Sequence, residues 1–245
     1  MINHQKEYVF GSILNSSLKM KITFLGHASL LIETASVSIV VDPFISANEK
    51  AKDIIKLDDL KPDYILVTHA HQDHILDVEE IAKSSNAIIV SNYEIATYYQ
   101  NKGFNVHPMN YGGSWNFDFG TVKYVNAIHT SSFPDGTYGG QPGGFVISSN
   151  DKNIYIAGDT ALTMDMKLIP LTTKLDLAIL PIGDNFTMGI NDAIIASDFV
   201  DCNTILGYHY DTFGYIEINH EEAKAKFSKA NKQLHLLEIA ETISL

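Results

Sequence analysis

The chain contains no arginine: its 17 basic residues are all lysines, 29 residues are acidic, and the net charge is −12. Proteins that bind nucleic acids usually hold phosphates and read guanine with arginine side chains, so that class is disfavoured. Cys202 is the single cysteine, which excludes an internal disulfide framework and favours a reducing cytoplasm. No apolar run approaches the roughly 18 residues of a membrane-spanning helix. Residues 1–19 lack the features of a secretory signal.

The composition is that of a folded α/β protein. Of the 245 residues, 45% are hydrophobic and 10% aromatic, and there are 16 glycines but only 7 prolines. This length fits one large α/β domain or two small ones, and it leaves ample chain for a continuous core. Regular patterning begins at Met20, so we predict an N-terminal extension over residues 1–19 and one folded domain over residues 20–245.

Short apolar runs bounded by glycine and small polar residues predict strands. These runs lie at 21–26, 29–33, 37–42, 63–68, 87–91, 119–128, 143–149, 153–159, 175–183, 203–208 and 233–239. Helical spacing predicts helices capped by Asp77, over 92–103, capped by Asn191 or Asp192, and over 219–232. Strands crowd the beginning and then alternate with helices, in two successive runs. This order predicts a layered α/β sandwich with a mixed sheet in each half.

Polar residues follow four of the predicted buried strands at their carboxyl ends. They are His69, His129, Asp159 and His209. Strand ends of this kind build a site at one edge of a sheet. Converging imidazole and carboxylate groups are costly to bury unless something satisfies them, and a metal ion would do so.

The run HAHQDH at 69–74 strengthens the metal hypothesis. In an extended segment His69 and His71 project to the same side, so both can reach one ion. Asp73 and His74 begin the turn towards the next helix and can reach a second ion. Neutral imidazoles and carboxylates are good ligands for divalent ions, zinc first among them, with manganese or iron as alternatives.

The HxHxDH motif and the later His, Asp and His resemble the metallo-β-lactamase superfamily of metal-dependent hydrolases. Within it, the segments at 22–33, 42–46, 180–189 and 208–213 are similar to a branch of metal-dependent hydrolases related to the L-ascorbate-6-phosphate lactonases. The resemblance implies a four-layered αββα sandwich with two mixed sheets. It further implies two divalent ions per chain: one held by His69, His71 and His129, the other by Asp73, His74 and His209. Asp159 would bridge them.

Two further residues are candidates for contact with the ligands or the substrate. His27 is either such a residue or a hydrogen-bonded turn histidine, and Asp42 either orients a ligand imidazole or caps a strand end. The glycine-rich segment 136–144 is either a mobile flap or a connector. Asp184 and Asp211 depart from the pattern of the branch and add negative charge near the predicted site.

The ligand set predicts a metal-dependent hydrolase in which a metal-bound hydroxide attacks a small, anionic lactone, ester or phosphoester. Divalent cations lower the pKa of a bound water from ~15.7 towards neutrality, so no serine or cysteine nucleophile is required. Asp73 is the predicted catalytic residue, since it can hold the hydroxide as well as bind metal. A metal-dependent nuclease or phosphodiesterase of the same fold and a non-catalytic metal-binding protein remain alternatives. The predicted partner is a small molecule, with no nucleic acid or membrane and with a homo-oligomer left open.

Overall fold

A computed structural model describes residues 20–245, so the predicted extension over residues 1–19 lies outside the described residues. The described chain forms these strands: β1 (Lys21–Gly26), β2 (Ser29–Glu33), β3 (Ser38–Val41), β4 (Tyr64–Leu66), β5 (Ile88–Asn92), β6 (Val106–Met109), β7 (Ser114–Phe117), β8 (Gly120–Asn126), β9 (Gly143–Ser149), β10 (Lys152–Ile156), β11 (Leu177–Pro181), β12 (Thr204–Tyr208), β13 (Gln233–His235) and β14 (Thr242–Ser244). The α-helices are α1 (Gln72–Ile75), α2 (Val78–Ser85), α3 (Tyr93–Asn101), α4 (Ile190–Phe199) and α5 (His220–Lys229).

Two mixed sheets of seven strands each form the centre of the molecule. The first has the order β14-β1-β2-β3-β4-β5-β6, antiparallel from β14 to β3 and parallel from β3 to β6. The second has the order β13-β12-β11-β10-β9-β8-β7, parallel from β13 to β10 and antiparallel from β10 to β7. Each sheet therefore combines an antiparallel half with a parallel half, as two similar halves of the chain would produce.

The core is divided into three layers. A central cluster joins the facing sides of the two sheets and includes Ile22 and Leu30 from one sheet and Phe145 and Leu206 from the other, all fully buried. A second cluster packs α4 and α5 on the outer face of the second sheet, and a third packs α2 and α3 on the first. Apolar residues on both faces of each sheet require this arrangement. The predicted αββα sandwich is confirmed.

Several local predictions were wrong. No strands were predicted at β6, β7 or β14. The chain was predicted to close with a strand over 233–239, whereas β13 ends at His235 and β14 follows it, crossing to the first sheet to pair with β1. Among the helices of residues 20–245, none is both long and apolar enough to cross a bilayer.

The predicted caps of two helices also differ from the structure. Asp77 precedes α2 but does not cap it with its side chain; its carboxylate instead accepts hydrogen bonds from the backbone of Ile45 and Ser46. The helix α4 begins at Ile190 after Gly189, before the predicted caps at Asn191 and Asp192. Asn191 and Asp192 are exposed residues inside the first turn of α4.

Candidate metal centre

The structure brings the seven predicted ligands together at the carboxyl ends of strands. His69 follows β4, His129 follows β8, Asp159 follows β10 and His209 follows β12 directly. The sharp turn after β12 gives His209 a left-handed backbone, with φ of 55°. Parallel strands direct these ends to one edge of each sheet, so the two halves of the sandwich contribute to one site.

Asp159 lies at the centre of the cluster. Its Oδ2 atom is 3.0 Å from Nε2 of His209 and 3.4 Å from Nε2 of His74. The same oxygen is 3.6 Å from Nε2 of His129 and 3.9 Å from Nε2 of His69. One carboxylate oxygen therefore faces four imidazole nitrogens from both halves of the fold.

Two groups of ligand atoms surround this carboxylate, and a third group, formed by His69, His74 and Asp159 itself, joins them. His69, His71 and His129 present nitrogens that all lie within 4.8 Å of one another. The second group contains His27, Asp73, His74 and His209, also within 4.8 Å. These groups correspond to the two predicted ion positions, with His27 as an additional member of the second.

Asp42 holds the imidazole of His74 from behind. Its Oδ2 atom lies 2.9 Å from Nδ1 of His74, which leaves Nε2 of that ring directed towards the cluster. Thr68 donates to the same carboxylate from its backbone nitrogen at 2.8 Å and from its hydroxyl at 2.6 Å. Asp42 was predicted either to orient a ligand imidazole or to cap a strand end, and its contact with His74 favours the first role.

His27 supports the carboxylate of Asp73, as Asp42 supports the imidazole of His74. Its Nε2 atom lies 3.0 Å from Oδ2 of Asp73, and its Nδ1 atom lies 2.9 Å from the hydroxyl of Thr212. The ring is almost completely buried, and its backbone carbonyl accepts a hydrogen bond from the nitrogen of His209. Burial lowers the pKa of His27 to about 4. A neutral His27 therefore donates to Asp73 from Nε2 and accepts from Thr212 at Nδ1.

The electrostatics of the cluster favour bound positive charge. Burial lowers the pKa of His69, His71 and His129, so these rings are neutral, as metal ligands must be. Burial alone would also lower the pKa of His74, but the Asp159 and Asp73 carboxylates raise it well above its ordinary value. The same field that retains a proton on His74 attracts a cation.

Buried polar atoms without hydrogen-bond partners test whether a metal fits here. Within residues 20–245, such atoms include these ligand atoms of the cluster: His74 Nε2, Asp159 Oδ1, His209 Nδ1 and His209 Nε2. A buried polar atom without a partner is costly, and several of them on neighbouring side chains of one cluster indicate a ligand-binding position. Imidazole nitrogens and carboxylate oxygens are the donor set that divalent ions such as zinc prefer, so the residues fit a metal.

The cluster opens into a cavity of about 770 Å³. The cavity is lined by five residues of the cluster: His71, Asp73, His129, Asp159 and His209. The carboxylate of Asp73 is more accessible than that of Asp159, because 28% of the Asp73 side chain is exposed against 3% for Asp159. A small molecule entering the cavity therefore meets Asp73 before Asp159.

The glycine-rich segment 136–144 is anchored. Asn92 Nδ2 donates to the carbonyls of Gly139 and Gln141, at 2.8 and 3.1 Å. Ser131 donates to Gly139 and accepts from the backbone nitrogen of Ala70 beside the histidine run. These hydrogen bonds tie the segment to the site and favour a connector over a mobile flap. Thr68 and Thr212, which sequence reasoning did not single out, hold Asp42 and His27; nothing in the sequence distinguishes them from other threonines.

Comparison with known proteins agrees with this geometry. The sequence model of the family described as "Beta-lactamase superfamily domain" matches residues 21–209 of this chain. A metal-dependent hydrolase from Christiangramia forsetii is 70% identical over 226 residues, which are 92% of this chain and 100% of that protein. A metal-dependent hydrolase from Methylacidiphilum infernorum is 46% identical over 227 residues, with the same coverage.

A solved structure supports the same assignment. The metallo hydrolase from the hyperthermophilic archaeon Ignicoccus hospitalis superposes with a TM-score of 0.84 at 32% identity, covering 93% of this chain and 98% of that one. The fold, the clustered histidines and aspartates, and these relatives agree with one another. The chain therefore belongs to the metallo-β-lactamase superfamily and is a metal-dependent hydrolase.

Proposed function

We propose that the protein is a two-metal hydrolase that cleaves a small ester, lactone or phosphoester. The observation that carries this proposal is the position of Asp159 Oδ2 within 4 Å of four imidazole nitrogens. His69 and His129 belong to one ligand group, and His74 and His209 to the other. An oxygen shared in this way between two groups is suited to bridging two cations.

The chain's own residues position the reacting water. Divalent cations bound here would lower the pKa of water and polarise the scissile carbonyl or phosphoryl oxygen. Burial alone would raise the pKa of Asp73, but His74 and His27 hold it well below its usual range, so Asp73 remains a carboxylate. It accepts a hydrogen bond from the attacking water and orients it, while His27 fixes the carboxylate. Water adds to the substrate, the ester bond breaks, and the proton of the water ends on the leaving oxygen.

Neutral imidazoles with two carboxylates favour zinc among the candidate ions, with manganese and iron as alternatives. A single buried cysteine, Cys202, suits a reducing compartment, so we place the enzyme in the cytoplasm. The nuclease alternative is disfavoured because the chain has a net charge of −12 and no arginine to hold a polynucleotide.

The test is a panel of lactones, esters and phosphodiesters, assayed with zinc-loaded and metal-free protein, with single-stranded RNA included. We expect zinc-dependent turnover of a small substrate and negligible RNA cleavage. His71→Ala should abolish that turnover, whereas His107→Ala, a histidine on β6 outside the cluster, should retain it. RNA degradation unmatched by any small substrate would favour the nuclease.

A further inference from the structure

Aromatic side chains form one wall of the cavity above the candidate metal centre. Phe44, Phe186, Phe213 and Tyr215 line the same cavity as Asp73 and the histidines. Phe186, Phe213 and Tyr215 are 51%, 40% and 78% exposed. We call these four residues the aromatic wall. Large apolar side chains gathered around a pocket, and not scattered over a surface, indicate a binding function.

The wall begins at the metal centre itself. The rings of Phe44 and Phe213 lie 5.5 and 5.4 Å from the ring of His27, and 6.2 Å from each other. His27 in turn contacts Asp73. A group attached close to the scissile bond would therefore lie against the wall while the bond itself lies at the centre.

Phe186 is carried by a tightly closed loop. Gly183 and Gly189 pair with each other across its base. The backbone nitrogen of Met188 donates to the carbonyl of Thr160, the residue after Asp159, at 3.0 Å. The loop holding Phe186 is thus tied to the backbone beside the central carboxylate.

Phe213 and Tyr215 lie on a second closed loop, which Asp211 stabilises. The backbone nitrogen of Asp211 donates to the carbonyl of Ile216 at 2.8 Å, and its Oδ1 atom accepts from the nitrogen of Ile218 at 2.9 Å. Its Oδ2 atom lies 2.6 Å from Nε2 of His220. Asp211, flagged in the sequence as an added negative charge, therefore holds the loop that presents the ring of Phe213.

The wall carries no charge that could hold an anion. Among the described residues, the cavity lining contains no lysine, and the whole chain has no arginine. The charged side chains of the lining are Asp73 and Asp159, both acidic. An anionic group placed away from the metals would find no cationic side chain, so the lining does not support the anionic substrate expected from the sequence.

We propose that the substrate is an uncharged ester or lactone whose aryl or medium-length alkyl group packs against the aromatic wall. Phe186, Phe213 and Tyr215 are its specificity determinants, and the proposal rests on the proposed hydrolase function. Apolar contact with three rings stabilises such a group, and edge-to-face pairing of Phe186 and Tyr215, with centroids 6.2 Å apart, extends the contact surface outwards.

Matched ester pairs test the proposal. Methyl 4-phenylbutyrate and monomethyl glutarate differ only at the end of the acyl chain, and benzyl acetate and acetoxyacetate place the same change on the alcohol side. With zinc-loaded protein, we expect the uncharged member of at least one pair to have a kcat/KM about 10- to 100-fold higher. Phe213→Ala combined with Tyr215→Ala should reduce that preference through KM. Trp115→Ala, which removes an exposed aromatic ring on β7, should leave it unchanged.

A binding measurement separates this proposal from the proposed function. The ketone 6-phenylhexan-3-one mimics methyl 4-phenylbutyrate but has no hydrolysable bond. The ketone 5-oxoheptanoate mimics monomethyl glutarate, the charged member of the same pair. Calorimetry should show that the wild-type protein binds the phenyl ketone more tightly than the charged ketone. Phe213→Ala combined with Tyr215→Ala, equally metal-loaded and folded, should reduce this difference in affinity. Such binding without hydrolysis of any ester would overturn the function and support the wall. Hydrolysis that favours the charged member of each pair, or is equal within both pairs, would overturn the wall proposal alone.

Discussion

His27 Nε2 lies 3.0 Å from Oδ2 of Asp73, so the turn after the first strand reaches the histidine-rich segment 46 residues later in the chain. The turn that carries His27 has a left-handed backbone, with φ of 56°. Asp73, which follows β4 in the parallel half of the first sheet, is thereby held by a histidine of the β1–β2 turn in its antiparallel half. The corresponding support for His74 comes from Asp42, which follows β3.

Removing the His27 ring should impair the second ligand group more than the first. His27→Ala deletes the donor to Asp73, and supports of this kind are worth about 10- to 100-fold in metal affinity or activity. We expect kcat to fall within that range and zinc affinity to fall at one site. His27→Gln, which retains a side-chain donor, should recover part of the loss. Wild-type kcat and zinc affinity in His27→Ala would show that the contact has no role.

Asp42→Asn should cost both stability and metal binding. The carboxylate is fully buried and accepts from His74 and twice from Thr68, so an amide would present a donor to at least one of these donors. We expect the free energy of unfolding, measured with urea on metal-free protein, to fall by about 1–3 kcal/mol. Asp118→Asn, at an exposed carboxylate that accepts from Tyr64, is the matched control and should change it by under about 0.5 kcal/mol. Equal effects of the two variants would contradict the buried network.

The metal-free protein should lose stability as the pH falls from 7 to 5. Burial lowers the pKa of His27 from 6.5 to about 4, so between these values the unfolded chain binds a proton that the folded chain excludes. Protonation then favours unfolding, by about 2 kcal/mol from His27 alone at pH 5. His69, His71 and His129 act in the same direction. His74, whose pKa is raised in the folded protein, opposes this loss between pH 7 and about 5.5, because over that interval the unfolded chain is still taking up a proton that the folded chain already holds.

Urea midpoints at pH 7.5 and 5.0 measure this dependence. His27→Gln replaces the titrating ring with an amide, so its stability should change less over the same interval. A metal-free wild-type protein that is equally stable at both pH values would contradict the burial of neutral histidines.

Asp159→Asn tests the bridge between the two ligand groups. The substitution keeps the shape of the side chain but removes the negative charge shared by four imidazoles. Repulsion between two cations should then increase, so we expect occupancy to weaken chiefly at one site, with a large loss of turnover. Circular dichroism should remain that of the wild type. Asp165→Asn, an exposed carboxylate beyond the cluster, should bind metal and turn over substrate normally. Undiminished turnover by Asp159→Asn would exclude bridging.

The positions of the candidate ligands could be predicted because they come after strands that the local sequence itself predicts, as short apolar runs. The strands that escaped prediction lack such a signal. Pro108 lies inside β6, and β14 is three residues long and pairs with β1 across more than 200 residues. Such pairing depends on the tertiary fold and not on the segment's own propensity.

The roles of His27 and Asp42 could be narrowed to two readings each but not decided from sequence. Their assignment depends on which nitrogen faces which carboxylate, and that follows from packing between segments distant in the chain. The aromatic wall was not predicted either, because Phe44, Phe186 and Phe213 come from three separate loops whose convergence only the fold defines.

The most direct test of the account is a zinc titration of metal-free protein, followed by calorimetry and by hydrolysis of the best substrate from the ester and lactone panel. The account predicts about two zinc ions per chain, with hydrolysis restored as the sites fill and lost again on chelation. A protein that binds no divalent ion at the cluster, or that hydrolyses its substrate equally well without metal, would contradict it.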